Sequence, residues 1–336
     1  MKKSISLLLI IALIIGGFVY LGNVIKEKHS LSDLKVSIIA PYSVGDRSYS
    51  DSAKEGEELL LDYGINVNFI ECKDQGFKQQ MMTAAGESDL VVCVGPQFWE
   101  IADVTKEYPS TKFIWFNDSV ETPSECQNLI NVVFAENEGS YLVGYVASAV
   151  SQSGVVGVVL GEDDRNAKNL MAGFTQGARQ VNDTIEIVSQ CAEGNYNDRE
   201  LGDRIAKILI AQDADIIYVM PGITGEGVLK AAKDKGVKII GLGRDMKIDY
   251  PEYEDIILCS MKEETAAAMF TLVRNYFDYG TFEGGKTLTA DSSKRYIGVA
   301  YGRSDASQIL DLDLRIQVNN LKQKIVNREI KVDTAE

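Results

Sequence analysis

The stretch 213–245, DADIIYVMPGITGEGVLKAAKDKGVKIIGLGRD, contains a complete unit of a parallel sheet. Residues 216–220 (IIYVM) are a short apolar run rich in β-branched side chains, the pattern of a strand covered on both faces. Gly222, Gly225 and Gly227 form a glycine loop, after which Val228, Leu229, Ala231 and Ala232 recur at the spacing of an amphipathic helix. Lys235-Gly236 stops that helix, because a glycine past the last turn adopts the left-handed conformation on which helices end. Residues 237–240 (VKII) are a second buried strand, closing on Gly241-Leu242-Gly243-Arg244-Asp245. In such a βαβ unit both strands end on one rim, and ligands of parallel sheets collect there. The glycine loop and the Arg244-Asp245 end therefore share the rim on which a site is expected.

The same alternation continues on both sides. Upstream, strands are expected at 35–40, 65–70, 90–94 and 112–116, separated by helices at 52–63, 77–85 and 98–107. After a connection at 117–131, strands at 131–134, 155–160 and 185–189 alternate with helices at 139–150, 166–181 and 199–211, and the 213–245 unit completes the cycle. Downstream come a strand at 255–259, a helix at 263–279, a glycine-rich turn at 280–285, a strand near 296–300 and a last helix at 309–327. The expected fold class is α/β, with two doubly wound, Rossmann-like lobes, a cleft between them and a hinge. Residues 34–120 with about 255–285 are assigned to lobe 1, and 121–254 with about 286–336 to lobe 2.

With 336 residues, 45% of them apolar, the chain can bury two ordinary cores. Its 49 acidic residues outnumber 34 basic ones, leaving a net charge of −15 that excludes the basic face nucleic-acid binding needs. Met1-Lys2-Lys3 precedes an apolar run at about 5–25, and Lys26, Glu27 and Lys28 follow it. That length matches a bilayer core, and the leading lysines favour a cytoplasmic N-terminus with the folded part outside. No small-x-small cleavage site is evident, so residues 1–33 read as a retained anchor in preference to a removed export signal. With no cysteine before Cys72, lipid attachment in the usual position is excluded. The five cysteines are odd in number and lack CxxC spacing, which suggests neither a disulfide framework nor a zinc site. Cys93 and Cys259 fall in strand-like runs and read as small buried hydrophobes.

Catalysis finds no residue set. The GxSxG, Walker A and GxGxxG motifs are absent, and Gly222-Ile223-Thr224-Gly225-Glu226-Gly227 has the wrong spacing for a phosphate loop, with an acidic Glu226 that repels anions. The sole histidine, His29, belongs to the N-terminal segment. No cofactor or metal is expected, and the chain reads as a binding protein that performs no reaction. Tyr49, in Asp46-Arg47-Ser48-Tyr49, and Tyr196, in Gly194-Asn195-Tyr196-Asn197-Asp198, are aromatics flanked by turn residues at matching places in the two lobes. Facing each other across a cleft, they could clamp a flat ring.

Several motifs occur in order. They are Gly45-Asp46-Arg47-Ser48-Tyr49; Glu138-Gly139-Ser140-Tyr141-Leu142-Val143-Gly144; Ala172-Gly173-Phe174-Thr175-Gln176-Gly177; Tyr196-Asn197-Asp198; Asp213-Ala214-Asp215 leading to Gly222–Gly227; and Ile240-Gly241 before Asp245. From Leu34 to the C-terminus the chain resembles the basic membrane protein family of bacterial solute receptors, also called PnrA-like or Med-like. The resemblance implies a fold like the type I periplasmic binding proteins and a nucleoside closed between the lobes for an ABC permease. Asp46 and Ser48 come into the expected ligand site with their motif, and Tyr49 and Tyr196 stand where two Phe residues sandwich the base. Asn117 or Asp118 stands where an Asp meets the base edge, and Gly222 and Gly225 where backbone approaches the ligand. Lys262 stands where a Lys holds the ribose hydroxyls together with an Asp. That Asp is replaced by Gly243, leaving Arg244 or Asp245 to compensate. A ligand-sensing subunit with no transport role is the alternative expectation.

Overall fold

The structure, a computed structural model, describes residues 33–303 and 308–335. The expected N-terminal anchor lies outside these residues. No described helix is long and apolar enough to cross a membrane.

Two six-stranded sheets organise the chain. The first contains β1 (Val36–Ala40), β2 (Val67–Glu71), β3 (Leu90–Val94), β4 (Lys112–Phe116), β5 (Leu129–Phe134) and β11 (Lys286–Ala290), in the order β11-β5-β4-β3-β1-β2. All its pairings are parallel. The second contains β6 (Val155–Leu160), β7 (Glu186–Cys191), β8 (Ile216–Val219), β9 (Lys238–Gly243), β10 (Ile257–Glu263) and β12 (Ile297–Ala300), in the order β12-β10-β9-β8-β6-β7. Only the β10–β12 pair among its ladders is antiparallel. Both sheets repeat one winding, with strand order reversing between β1 and β3 in one and between β6 and β8 in the other. Ligands bind at the carboxyl ends of strands beside such switch points.

Helices cover both faces, as continuous apolar strands such as Leu90–Val94, fully buried along its length, require. In the first lobe these are α1 (Tyr49–Asp62), α2 (Phe77–Glu87) and α3 (Ile101–Glu107). In the second they are α4 (Glu136–Val150), α5 (Arg165–Arg179), α6 (Arg199–Ala211), α7 (Gly222–Lys235), the short α8 (Met246–Asp249) and α10 (Leu312–Val326). The remaining helix, α9 (Thr265–Tyr279), packs on α1 and so belongs to the first lobe. Each lobe holds two apolar cores, one on either side of its sheet.

The chain crosses between lobes three times. It leaves β5 for α4, leaves β10 for α9, and passes from β11 to β12. Backbone bonds brace the crossings: Ala135 N donates to Ala290 O at 3.0 Å and Glu264 N to Tyr296 O at 2.9 Å. Ser292 N also donates to Glu138 Oε2 at 2.9 Å. These crossings correct the expected lobe boundaries. β5 lies in the first sheet and not the second; β10 lies in the second although 255–285 was assigned to lobe 1; β11 joins the first although 286–336 was assigned to lobe 2. A hydrophobic run is compatible with either sheet, and only pairing partners decide between them. β11 also escaped sequence reading, because Lys286–Ala290 is a partly exposed edge strand close behind Gly284-Gly285.

Gly222, Gly225 and Gly227 lie inside α7, which starts at Gly222 where a loop was expected. A Cβ on Gly227 would lie 2.0 Å from Arg199 O and one on Gly202 1.8 Å from Thr224 O, so α6 and α7 cross with backbones in contact. Cys93 and Cys259 are buried free thiols in strands, as expected.

Candidate functional site

The carboxyl ends of β1, β3 and β4 form one wall of the cleft. After β1 the chain turns through residues 41–48, held by carboxylates of its own segment. Asp46 accepts from Ser48 N at 2.9 Å, Ser50 N at 3.0 Å and Asp51 N at 3.1 Å. Asp51 accepts from Gly45 N at 2.6 Å and Arg47 N at 2.9 Å. Asp46, expected at the ligand, thus organises the loop, and Ser48 occupies the N-cap of α1 without a side-chain capping bond. Tyr49 is the first residue of α1, not a turn residue. Its ring lies against Gly95 at the end of β3, where an added Cβ would meet Cδ2 at 3.3 Å. Beside it, Gln97 Nε2 donates to the Tyr42 hydroxyl at 3.0 Å.

The opposite wall comes from β6, β7 and β8. Tyr196 follows β7, and its ring lies over Gly161 at the end of β6, where an added Cβ would meet the hydroxyl oxygen at 2.4 Å. The start of α7 clasps its loop: Thr224 N donates to Tyr196 O at 3.1 Å, and Thr224 Oγ1 donates to Asn195 O at 2.7 Å. Gly222, with φ +94°, lets the chain turn within reach of the Tyr196 carbonyl. Gly225 faces the Met220 carbonyl, 2.2 Å from where its Cβ would be, and so serves helix–strand packing. Tyr49 follows the first strand of its sheet and Tyr196 the second strand of its own, so the two are not at matching topological positions. Burial is the main cause that holds the Tyr49 hydroxyl well above its ordinary value, and Tyr196 and Tyr42 are near enough to add smaller contributions.

At the base of the cleft lies a group that sequence reasoning missed. Asn117 follows β4 with φ +72°, and its Nδ2 donates to Glu263 Oε2 at 2.9 Å. Glu263 ends β10, and Glu136, the first residue of α4, is near enough to act on its carboxyl. Burial is the main cause that pushes Glu263 up to about 7, while burial and then the Glu263 charge hold Glu136 well above the usual carboxylate range. Asp118 is raised mainly by burial and accepts from Ser119 N at 2.7 Å. Nothing in sequence distinguishes Glu136 from an ordinary acidic residue at a helix start.

Asp245 and Lys262 line an adjoining cavity of about 400 Å³, together with Arg244, Glu263, Arg295 and Lys322. Lys262 is ion-paired with Glu264 at 2.9 Å. Asp245 caps α8 through Lys247 N at 3.2 Å and accepts from Gly302 N at 2.9 Å. The position of the missing Asp, Gly243, has φ +84° and open space around it. The structure thus places Tyr49, Asn117 and Asp118 at strand ends of the first lobe and Tyr196 at a strand end of the second. Asp245 and Lys262 stand in the neighbouring cavity, which Glu263 also lines.

Two contacts bridge the walls directly. Arg244, between β9 and α8, donates to Ser52 Oγ at 3.2 Å and Glu55 Oε1 at 2.9 Å on α1. Asp249 holds the same guanidinium at 2.9 and 3.0 Å. Arg47 lies 4.3 Å from the centre of the Tyr250 ring.

Two wound lobes, three crossings and a cleft at the strand ends define the two-lobed fold of the periplasmic binding proteins. The structure resembles a crystal structure of an ABC transporter solute-binding protein from Aeropyrum pernix K1, with TM-score 0.75 and 21% identity over 90% of this chain and 93% of that one. It also resembles that of a transcriptional activator of the comK gene from Bacillus halodurans, with TM-score 0.72 and 18% identity over 88% and 99%. In sequence it is 27% identical to basic membrane protein A of Borreliella burgdorferi, covering 89% of this chain and 87% of that protein. The chain belongs to the Bmp family, described as ABC transporter substrate-binding protein PnrA-like, whose model matches residues 34–336. Family and fold make it an ABC transporter substrate-binding protein, which implies a small-molecule ligand and a permease partner.

Proposed function

We propose that the protein captures a nucleoside-like ligand between its lobes and presents it, tethered at the membrane surface by residues 1–33, to an ABC permease. Tyr49 and Tyr196 cover the two faces of the base. Asn117 and Asp118 meet the base edge, and Lys262, with Arg244 and Asp245 nearby, meets the sugar across the open Gly243 position. The observation that supports this reading is that Tyr49 and Tyr196 stand at strand ends of opposite lobes, each ring seated on a glycine, with Tyr196 near enough to act on the Tyr49 hydroxyl. Stacking supplies the binding energy, and the polar groups at either end set orientation. Asp46 and Ser48 shape the wall beside Tyr49, where their motif meets the ligand.

The test is a melting panel on the full chain in detergent against purine and pyrimidine nucleosides, free bases and ribose. A ligand at 100 times its Kd stabilises the folded form by about 2.7 kcal/mol. Stacking of a base on an aromatic side chain is worth about 1–3 kcal/mol per face. A Tyr49→Ala, Tyr196→Ala double variant therefore weakens nucleoside binding at least about thirtyfold. Unchanged affinity in that variant sinks the proposal.

A further inference from the structure

The cavity of about 400 Å³ that Lys262 lines holds as many cations as carboxylates, although the whole chain has a net charge of −15. Every carboxylate in its lining is engaged. Glu55 and Asp249 hold Arg244, Glu264 holds Lys262, Glu263 accepts from Asn117, and Asp245 accepts from Lys247 N and Gly302 N. Of the cations, Arg295, Arg303 and Lys322 have no hydrogen bond or ion pair among the described residues. The uncommitted charge of the cavity is therefore all positive.

Sheet register leaves room beside that charge. Lys262 on β10 pairs with Gly243 on β9 and with Gly298 on β12, so the row across the sheet carries one side chain between two glycines. Gly243 has open space around it, and a Cβ on Gly298 would lie 2.9 Å from Lys322 Nζ. Residues paired across strands share a face of the sheet, so Lys322, reaching in from α10, sets its ammonium on the face that Lys262 occupies. Arg295 stands just before β12 and acts on Lys322. Burial is the main cause that lowers the Lys322 ammonium; Glu264 and Glu138 oppose it, and Arg295 adds to it. Glu138 itself is held by Ser292 N. An anion between Arg295 and Lys322 would relieve their repulsion. Thr265 and Ala266 also bring to this cavity the start of α9, which no side chain caps, and the positive end of its dipole adds to the same potential.

We propose that the cavity binds a phosphate monoester, held by Lys322 and Arg295 beside Lys262 over the glycine floor of Gly243 and Gly298. The inference rests on the nucleoside reading above, in which Lys262 meets the sugar, and it makes the ligand a nucleoside monophosphate whose phosphate extends from the sugar into the cavity. A phosphate monoester carries about −1.5 to −2 charges at pH 7, the complement of the two free cations while Glu264 neutralises Lys262. No bond is made or broken.

The experiment is calorimetry on the full chain in detergent, at low and high salt. The probes are the common ribonucleosides, their 5′-monophosphates, ribose 5-phosphate and inorganic phosphate. At low salt a monophosphate should bind at least about tenfold tighter than its nucleoside, the margin that one hydrogen bond to a charged group supplies. High salt should narrow that margin. In the double variant Arg295→Gln, Lys322→Gln, which keeps long side chains and removes both charges, the ratio of the two affinities should fall to near one, whereas Lys322→Arg should retain it. Nucleosides that bind as tightly as their monophosphates, or a preference that survives the double substitution, overturn the subsite and leave the nucleoside reading standing. Binding of ribose 5-phosphate or inorganic phosphate that the double substitution abolishes, while nucleosides fail and monophosphates bind no tighter than ribose 5-phosphate, keeps the subsite and sinks the nucleoside reading. Binding of no probe overturns both.

Discussion

Asn117 adopts a left-handed backbone, which asparagine tolerates better than most residues, and this points its amide at Glu263. The carboxyl pair it touches makes a prediction about stability at the residue scale. A carboxyl whose folded pKa is raised binds its proton more tightly in the folded state, so its contribution is full below the unfolded value and is lost as pH rises through the folded one. For Glu263 that window runs from 4.5 to about 7. The melting temperature of the parent chain should fall across this window, and Glu136→Gln should flatten the fall, as a thermal melt at pH 5, 6, 7 and 8 would reveal. An identical slope in both proteins would mean that Glu136 does not act on Glu263. Sequence reading reached Asn117 through its motif position but passed over its partner, because Glu263 is 146 residues away and no local pattern ties them.

Among the elements, α4 and α5 cross with their backbones in contact, as α6 and α7 do. A Cβ on Gly177 would lie 1.9 Å from Tyr141 O, and one on Gly173 2.1 Å from Asn137 O. These glycines belong to the Ala172–Gly177 motif, and the facing carbonyls to the helix carrying Glu138–Gly144, so both motifs describe one interface. Backbone on both sides leaves no flexible side chain to yield. Gly177→Ala should therefore cost about 1–3 kcal/mol, measured as a lower denaturation midpoint at unchanged slope. A midpoint equal to the parent's would mean that the helices separate freely. The strand and helix periods were legible in sequence for most elements. The start of α1 was not, since Ser48 and Tyr49 read equally well as a turn, and it is the three backbone bonds to Asp46 that bring the chain into the helix.

For the whole molecule, the question is what holds the lobes together. Arg244 reaches from the second lobe to Ser52 and Glu55 of the first, while Asp249 fixes its guanidinium from behind. Glu55 is 52% exposed, so this bridge is worth no more than about 1 kcal/mol, a shift of about fivefold between closed and open forms. Arg244→Ala should accordingly raise the radius of gyration of the ligand-free protein in small-angle scattering, with saturating ligand restoring it. An unchanged radius in the ligand-free variant would leave lobe position to the three crossings and to the Arg47–Tyr250 and Asn117–Glu263 contacts.

By itself, the sequence determined two wound α/β lobes and the family, because period, turn chemistry and ordered motifs are local properties of the chain. Tertiary structure decided which sheet takes β5, β10 and β11, and it brought Asn117, Glu136 and Glu263 together at the crossings. The reason is physical. A buried strand or an acidic residue at a helix start carries no mark of its partner, and only pairing across the hinge selects the sheet and sets the charge state of the carboxyls.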